Sequence, residues 1–374
     1  MTDDGRMRRV ALITLAAVAI GAVALQAAST PLTSYDEPLW YLRSQRPVWR
    51  TDGPHDYPWA TDVPGGCRLV YGAALDVFGL DGLPNRQPVY KVEAYRANWE
   101  NACYAPADAV LAMRGCNVVL YLSGLLALYV VAVSVLKRPV WALAAVSPLV
   151  LSPTFPLEIV PRVGPDALLM ATLCLFLLVW TSLDGRGKTL SAKAAVLMGV
   201  LGGLCTFAKV NGALAPIAFA AWAAYRGRGW ARIGLPMTVL AITGVGFYAL
   251  NPAFYAEWPW TCLIDILQRR AVAGAALDKI YGTMGWTAVF AGAVRVWPLF
   301  LVALAVLWRV RRVRALEPVL WWGIIGAAGN LAVINLPLPR YIGPVELGIY
   351  YPAALAVAWI LANENKSRNT GTNS

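Results

Sequence analysis

The chain has 374 residues, of which 58% are hydrophobic and only 14% are charged, and its formal net charge is +11. Soluble globular proteins carry nearer a quarter charged residues, so this composition excludes a soluble domain. Most of the apolar residues fall into blocks of roughly 17–22 residues, the length that an α-helix needs to cross a bilayer, and the fifth, sixth and eighth blocks are shorter. The sequence therefore predicts an all-α polytopic membrane protein.

Ten apolar segments follow one another along the chain and are predicted to span the membrane. They are Val10–Ala28, Asn117–Leu136, Val140–Phe155, Val163–Leu183, Ala194–Phe207, Ala213–Tyr225, Ile233–Leu250, Trp297–Trp308, Val319–Leu336 and Ile342–Leu361. A long loop, 29–114, follows the first segment, and a second loop, 251–296, follows the seventh. Both hold Trp and Tyr, which favour the membrane–water interface, so we expect short interfacial helices there. Residues 1–362 then form a single domain, and the polar tail 363–374 is expected to be disordered.

The first segment also has the features of a secretory signal. Arg8 and Arg9 precede the apolar run, and the small residues Ala27 and Ala28 close it. Cleavage there would leave a mature chain that begins at the polar loop. The run is close to full spanning length, which favours a first membrane helix instead.

Basic residues indicate on which side of the membrane each connection lies. The connections expected in the cytoplasm hold Arg6, Arg8, Arg9, Lys137, Arg138, Arg186, Lys188, Lys193, Arg226, Arg228, Arg232, Arg309, Arg311, Arg312, Arg314, Lys366 and Arg368. The short turns expected outside hold Arg162, Lys209 and Arg340, one each. This positive-inside pattern fits an even number of spans with both termini in the cytoplasm, and we expect an integral protein of the bacterial inner membrane. Because the basic residues are distributed loop by loop, the net charge does not indicate a nucleic-acid partner.

The sequence argues against several common chemistries. His55 is the only histidine, and the six cysteines have no metal-ligand spacing, so a conventional zinc site is not predicted. A Gly-x-Ser-x-Gly nucleophile elbow and a Walker A loop are both absent. Cys67 and Cys103 share the first outside loop, where an oxidising compartment would allow a disulfide.

Five polar motifs lie at helix ends on the predicted outer face. They are Ser34–Pro38, Pro161–Asp166, Phe207–Gly212, Asn251–Tyr255 and Leu338–Pro344. Ionisable groups at membrane depth are costly and are usually functional.

Each motif also has a structural interpretation. Asp36 can cap a helix that begins at Pro38, and the isolated cations can extend to the lipid headgroups. Asp166 can pair with Arg162, about one helical turn away. The Asn251–Pro252 dipeptide can simply form a turn.

Taken in order, the motifs resemble the GT-C superfamily of membrane glycosyltransferases, in the polyprenyl-phosphate-sugar-dependent branch of protein O-mannosyltransferases and aminoarabinose transferases. The matching pieces are an Asp-Glu pair after the first span (Asp36, Glu37), a stretch similar to Pro-Pro-Leu-x-Tyr (Val63–Tyr71), Arg-x-x-x-Asp before a long span (Arg162, Asp166), a Lys at a helix junction (Lys209) and Arg-Tyr-x-x-Pro at a late helix start (Arg340, Tyr341, Pro344). Gly65 departs from the second Pro of the loop motif. The resemblance covers most of the chain and implies a GT-C-like bundle of about ten transmembrane helices.

The resemblance also implies a reaction, in which a sugar passes from a polyprenyl-phosphate donor to an acceptor hydroxyl on a glycan, lipid or protein. Asp36 would be the catalytic base, and Glu37 would orient the acceptor. Arg340 and Lys209 would hold the donor phosphate, with Arg162 as a third cation. The scheme requires no metal, although the acidic pair is able to hold a divalent ion.

Two other functions stay open at the level of the sequence. One is a transporter or flippase for a lipid or a small solute, which would favour repeated halves and helices broken near the middle of the membrane. The other is a noncatalytic membrane subunit that organises envelope assembly. The long aromatic outer loop with its acidic pair favours the enzyme.

Overall fold

The computed structural model describes residues 20–21, 23–29, 65–80, 106–152, 154–188, 190–250, 297–333 and 339–370. Within these ranges the chain is mostly helical and contains no strand. Besides a helical stretch at 23–29, the helices are α1 (Gly66–Phe78), α2 (Ala107–Leu136), α3 (Pro139–Leu151), α4 (Asp166–Gly185), α5 (Ala192–Ala208), α6 (Leu214–Arg226), α7 (Ala231–Leu250), α8 (Trp297–Val310), α9 (Glu317–Val333) and α10 (Pro339–Thr370). A π-helical turn, Thr154–Ile159, lies between α3 and α4, and a 3₁₀ turn, Val210–Ala213, lies between α5 and α6.

The apolar helices indicate a membrane protein. In the described ranges, α2, α4, α7 and residues Gly343–Asn363 of α10 are long and apolar enough to cross a bilayer. The helices α3 and α5 and residues Leu301–Val310 of α8 are apolar but shorter. The predicted segments from Asn117 onward each coincide with one of α2–α10, which confirms where these helices lie. That all of them span the membrane stays a prediction.

Two helices extend far beyond their predicted bounds. Helix α2 begins at Ala107, inside the segment predicted as a loop, and it includes Arg114. The Arg114 side chain is buried, and its Nη1 donates to the carbonyl of Ala27 at 3.1 Å. A charged side chain is thereby accommodated inside the bundle. Helix α10 continues to Thr370 and so includes residues 363–370 of the predicted tail. No glycine or proline follows Pro352 before the end of α10, so nothing breaks the helix where the apolar sequence stops.

Short connections with defined backbone chemistry reverse the chain between helices. Lys137 ends α2 in a left-handed conformation (φ 56°), and Pro139 begins α3, where proline lacks only an amide that would be unpaired anyway. Ser191 caps α5, its Oγ accepting from the amide of Ala194 at 3.2 Å. These turns make consecutive helices antiparallel neighbours.

Ion pairs mark the two ends of the resulting bundle. At one end, Asp166 at the start of α4 contacts Lys209, which follows α5. At the other end, Arg226 of α6 pairs with Glu317 of α9, with Nε 3.0 Å from the carboxylate. We call the first the site end and the second the far end.

The core between the two ends is closely packed. Trp180 of α4 lies 5.2 Å from Phe219 and 5.6 Å from Trp222 of α6, measured between ring centroids, and all three are buried. Helices α5 and α7 approach closely where Gly203 faces Gly246. A Cβ on Gly203 would lie only 3.4 Å from the Cα of Gly246. Small residues at such crossings are typical of helices packed in membranes. The site end is therefore held on a tightly packed scaffold.

Candidate functional site

An ion pair between two helix termini lies at the centre of the site end. Lys209 Nζ is 2.6 Å from Asp166 Oδ1, and the two side chains are only 15% and 11% exposed. Asp166 is the first residue of α4, and Lys209 directly follows α5. A carboxylate at a helix amino terminus and an ammonium at a carboxyl terminus both interact favourably with the helix dipoles. The local backbone therefore stabilises both charges.

Arg162 lies in the short segment 160–165 that leads into α4. Asp166 pairs with Lys209, whereas the sequence offered Arg162 as an alternative partner. Because the segment 160–165 is not helical, the spacing of four residues does not bring Arg162 and Asp166 to one helix face. Lys209 thus contacts Asp166 directly, and Arg162 belongs to the segment that leads into the same helix.

Tyr71 and Asn117 hold the segment 160–165 in place. The Tyr71 hydroxyl lies 2.7 Å from the carbonyl of Gly164 and 2.6 Å from Asn117 Oδ1, and it accepts from the Gly164 amide at 3.1 Å. Asn117 Nδ2 donates to the carbonyls of Val160 at 3.2 Å and Arg162 at 2.7 Å. Both side chains are buried, at 1% and 0% exposure. Burial of polar groups is tolerated when they are hydrogen-bonded in this way.

Cys67 lies beside the ion pair as a free, buried thiol. Its Sγ approaches the carbonyl of Gly164 at 3.6 Å. Burial raises the pKa of the Cys67 thiol, the carboxylate of Asp166 raises that pKa further, and Lys209 opposes the shift. Burial likewise raises the pKa of Tyr71. These shifts favour the neutral forms of both groups. The disulfide considered for Cys67 is not formed, and Cys103 lies outside the described residues.

A second cluster of polar side chains at the site end is centred on Glu346. Ser152 Oγ donates to Glu346 Oε2 at 2.9 Å, and it accepts from the amide of Thr154 at 3.2 Å. Thr154 begins the π-helical turn, an irregularity that occurs frequently at functional sites. Sequence analysis missed Glu346. The available signal was a single carboxylate inside an otherwise apolar segment.

An amide pair lines a cavity between α4, α6, α9 and α10. Asn211 Nδ2 donates to Asn330 Oδ1 at 2.6 Å, and Asn330 Nδ2 donates to the carbonyl of Gly326 at 2.7 Å. Asn211 Oδ1 is buried and has no hydrogen-bond partner among the described residues. The cavity has a volume of about 10 Å³, enough for about one water molecule, and Leu173 and Trp322 contribute apolar walls. This amide pair was also missed from the sequence.

The structure brings together some of the predicted site residues and leaves others outside its description. Asp166 and Lys209 meet at the site end, and the backbone of Arg162 lies in the neighbouring segment 160–165. Arg340 and Tyr341 lie in the first turn of α10, with side chains outside the described part. Asp36 and Glu37 are outside the described residues. In the portion that is described, no three His, Cys, Asp or Glu side chains gather as a metal site.

Comparison with known proteins adds no assignment. No protein-family model matches the chain, and no curated protein matches it either.

Proposed function

We propose that this protein is a glycosyltransferase that moves a sugar from a polyprenyl-phosphate donor to an acceptor hydroxyl at the outer face of the membrane. The observation that supports it most is the ion pair of Lys209 with Asp166, which lies largely buried at one end of an apolar helical bundle. A lipid-linked phosphate needs such a place, because its tail requires apolar helices and its headgroup requires cations. The GT-C resemblance adds the donor class.

In the proposed reaction, cations bind the donor phosphate and carboxylates bind the acceptor hydroxyl. The acceptor oxygen forms a bond to the sugar C1 as the bond between C1 and the phosphate oxygen breaks, and the polyprenyl phosphate leaves. Lys209, Arg340 and Arg162 stabilise the negative charge that grows on the leaving phosphate. Asp36 accepts the proton of the acceptor hydroxyl, and Glu37 orients the acceptor.

Asp166 has a supporting role in this scheme. Its carboxylate lies 2.6 Å from Lys209 Nζ, which limits the orientations that a long lysine side chain can adopt. Orientation fixed before the substrate binds lowers the entropic cost of binding. Tyr341 follows Arg340 in α10 and would complete the site from that helix. No metal is needed, although Asp36 and Glu37 together are able to bind a divalent ion.

The same proposal includes an orientation of the protein in the membrane. The ten apolar segments cross the bacterial inner membrane, both termini are cytoplasmic, and the site end faces outward. The clusters of basic residues at connections such as 226–232 and 309–314 support this orientation. The far end, with Arg226 and Glu317, is then cytoplasmic.

A transporter is the second candidate, and the cavity next to Asn211 and Asn330 favours it. Asn211 Oδ1 has no hydrogen-bond partner among the described residues, and the chain is interrupted between α5 and α6 close to this cavity, as is typical of transporter sites. A transporter would move its solute unchanged, whereas the proposed enzyme would cleave the donor.

Incubation of the purified protein with radiolabelled polyprenyl-phosphate sugars tests the two candidates. The proposed enzyme converts the donor to unlabelled polyprenyl phosphate and transfers the label to an acceptor. In sealed liposomes, translocation of intact donor without cleavage would instead support the transporter. The Asp36→Asn variant serves as the catalytically impaired control, since only the enzyme depends on a base at this position.

A further inference from the structure

Helix α1 contacts both chain segments that carry the ion pair. On one side, Cys67 and Tyr71 reach Gly164, which lies just ahead of Asp166 in the chain. On the other side, the start of α1 lies against the end of α5, immediately before Lys209. Although α1 lies outside the apolar segments predicted to span the membrane, it connects the two segments from which the ion pair is built.

The contact with α5 depends on a glycine. A Cβ placed on Gly66 would lie 2.8 Å from the carbonyl oxygen of Phe207 and 3.2 Å from the Cα of Ala208. Real side chains do not approach backbone that closely, so any larger residue would move α1 away from α5. The absence of a side chain at Gly66 therefore sets the distance between α1 and the segment that ends in Lys209.

Hydrogen bonds fix the other segment from two directions. The hydroxyl of Tyr71 both accepts from the Gly164 amide and lies within hydrogen-bond distance of the Gly164 carbonyl. Asn117 of α2 binds the carbonyls of Val160 and Arg162 and is itself in contact with Tyr71. Because Nδ2 of Asn117 meets two carbonyls, the orientation of its amide is defined. The segment is thus held at both of its ends.

We propose that Tyr71 and Asn117 are positioning residues, which hold the segment 160–165 so that Arg162 and the Asp166–Lys209 pair meet the phosphate of the substrate in one arrangement. This deepens the proposed function and rests on it for the identity of the phosphate. Neither residue touches the reacting atoms. Their effect passes through the backbone that carries Arg162 and Asp166.

Hydrogen–deuterium exchange of the full chain in detergent tests the positioning directly. Pro161 and Pro165 have no amide, so the amides of residues 162–164 report on the segment. The Tyr71→Phe variant removes one hydroxyl and keeps the ring. Exchange at 162–164 should become about two- to tenfold faster, the usual effect of one lost hydrogen bond. The ratio kcat/KM for the polyprenyl-phosphate donor should fall by a similar factor.

Tyr121→Phe is the matched control, because the Tyr121 hydroxyl is equally buried and donates to the carbonyl of Leu149 at 3.1 Å, in a different part of the bundle. It removes one buried hydroxyl elsewhere in the bundle, so it should lower the melting temperature without changing exchange at 162–164 or kcat/KM. A second pair uses sterics instead of hydrogen bonds. Gly66→Ala should speed exchange at 162–164 and lower the donor kcat/KM. Gly115→Ala, with no atom within 4 Å of its Cβ, should change neither.

The outcomes separate this proposal from the proposed function. Unchanged exchange at 162–164 in Tyr71→Phe overturns the positioning role, whether or not the protein transfers sugar. Faster exchange with unchanged donor kcat/KM in an active protein also overturns it. A wild-type protein that transfers no sugar refutes the glycosyltransferase, and the exchange at 162–164 then still decides whether Tyr71 fixes this segment.

Discussion

Lys209 Nζ lies 2.6 Å from Asp166 Oδ1, and this contact joins the end of α5 to the start of α4. Each charge lies at the helix terminus whose dipole favours it. Because both side chains are largely buried, removing one partner leaves the other in a poorly solvated environment. The pair can therefore stabilise the fold, hold a substrate, or do both, and the two roles are separable by mutation.

Lys209→Met should lower the free energy of unfolding by about 1.5–3 kcal/mol, because the charge-assisted hydrogen bond to Asp166 is lost. The double variant Lys209→Met/Asp166→Asn should recover part of this loss, since the uncompensated carboxylate is gone. If Lys209 binds the donor phosphate, sugar transfer should stay impaired in both variants. Thermal unfolding in detergent and donor kcat/KM measure the two effects. Transfer that recovers together with stability would assign the pair a purely structural role.

The ion pair at the far end supplies a control for this experiment. Arg226 and Glu317 also join two helices, but Arg226 is 41% exposed. Arg226→Met should therefore change the free energy of unfolding by about 0–1 kcal/mol. Donor kcat/KM should not change, because this pair lies at the opposite end of the bundle.

Site-directed labelling should place the two ends of the bundle on opposite sides of the membrane. Single cysteines at Arg228 and Arg312, in a background without native cysteines, should react only with reagents that enter the cytoplasm. The ion pair of Arg226 with Glu317 supports a shared side for the two sites, since it brings the end of α6 and the start of α9 together, and the basic clusters predict that this side is the cytoplasm. A cysteine at Trp258 should react from outside. Labelling of Trp258 and Arg312 from the same side would contradict the predicted placement of α8.

The helix positions were predictable because apolar blocks in a membrane protein have little freedom. Backbone amides in lipid must be satisfied within the helix, so an apolar run of sufficient length forms one. The bounds failed where polar residues continue a helix. The predicted start of α2 excluded Arg114 because a charged residue looked like part of a loop. Its hydrogen-bond partner, the Ala27 carbonyl, is distant in sequence and was not foreseeable. The polar end of α10 has no apolar signal at all.

The site was predictable only as a set of residues and not as a set of contacts. Lone charges at helix ends drew attention to Lys209 and Asp166, but nothing in the sequence states that they pair. Asn117 and Asn330 lie within apolar segments and look like tolerated polar residues. Their importance depends on partners in other helices. Such contacts arise from tertiary packing, which a single sequence does not display.

Asn330→Leu should lower the free energy of unfolding by about 1–3 kcal/mol, because the buried amide of Asn211 loses its acceptor. The double variant Asn211→Leu/Asn330→Leu should be more stable than the single one, since neither side chain then leaves an unpaired polar group. Thermal unfolding in detergent measures both. A glycosyltransferase should retain its activity in the double variant, whereas a transporter that uses this cavity should lose uptake.

Arg340→Ala should weaken donor use much more than it weakens folding. A lost charge-assisted contact to phosphate costs about 1.5–3 kcal/mol, which corresponds to about a ten- to hundredfold drop in donor kcat/KM. Arg340 lies in the first turn of α10, at the site end. Arg311→Ala is the control, because Arg311 lies at the far end, where its guanidinium is 3.8 Å from the ring centroid of Trp308. Unchanged donor affinity and turnover in Arg340→Ala would remove Arg340 from the site.

Asp36→Asn gives the sharpest test of the proposed function. Asparagine caps a helix about as well as aspartate, so a capping role predicts normal stability and normal transfer. A catalytic role predicts normal stability with transfer reduced by about a hundredfold or more, the usual contribution of a positioned base. Asp108→Asn is a matched control, because Asp108 is an exposed acidic residue in the first turn of α2. It should keep full transfer.

Glu37→Gln completes this test, because it distinguishes which carboxylate accepts the proton. If Glu37 only orients the acceptor, its loss should raise the KM for the acceptor and reduce turnover less than Asp36→Asn does. Wild-type transfer in Asp36→Asn together with an inactive Glu37→Gln would exchange the two roles. Full activity in both variants would mean that this loop holds no base, and the glycosyltransferase would lose the acid–base chemistry that its mechanism requires.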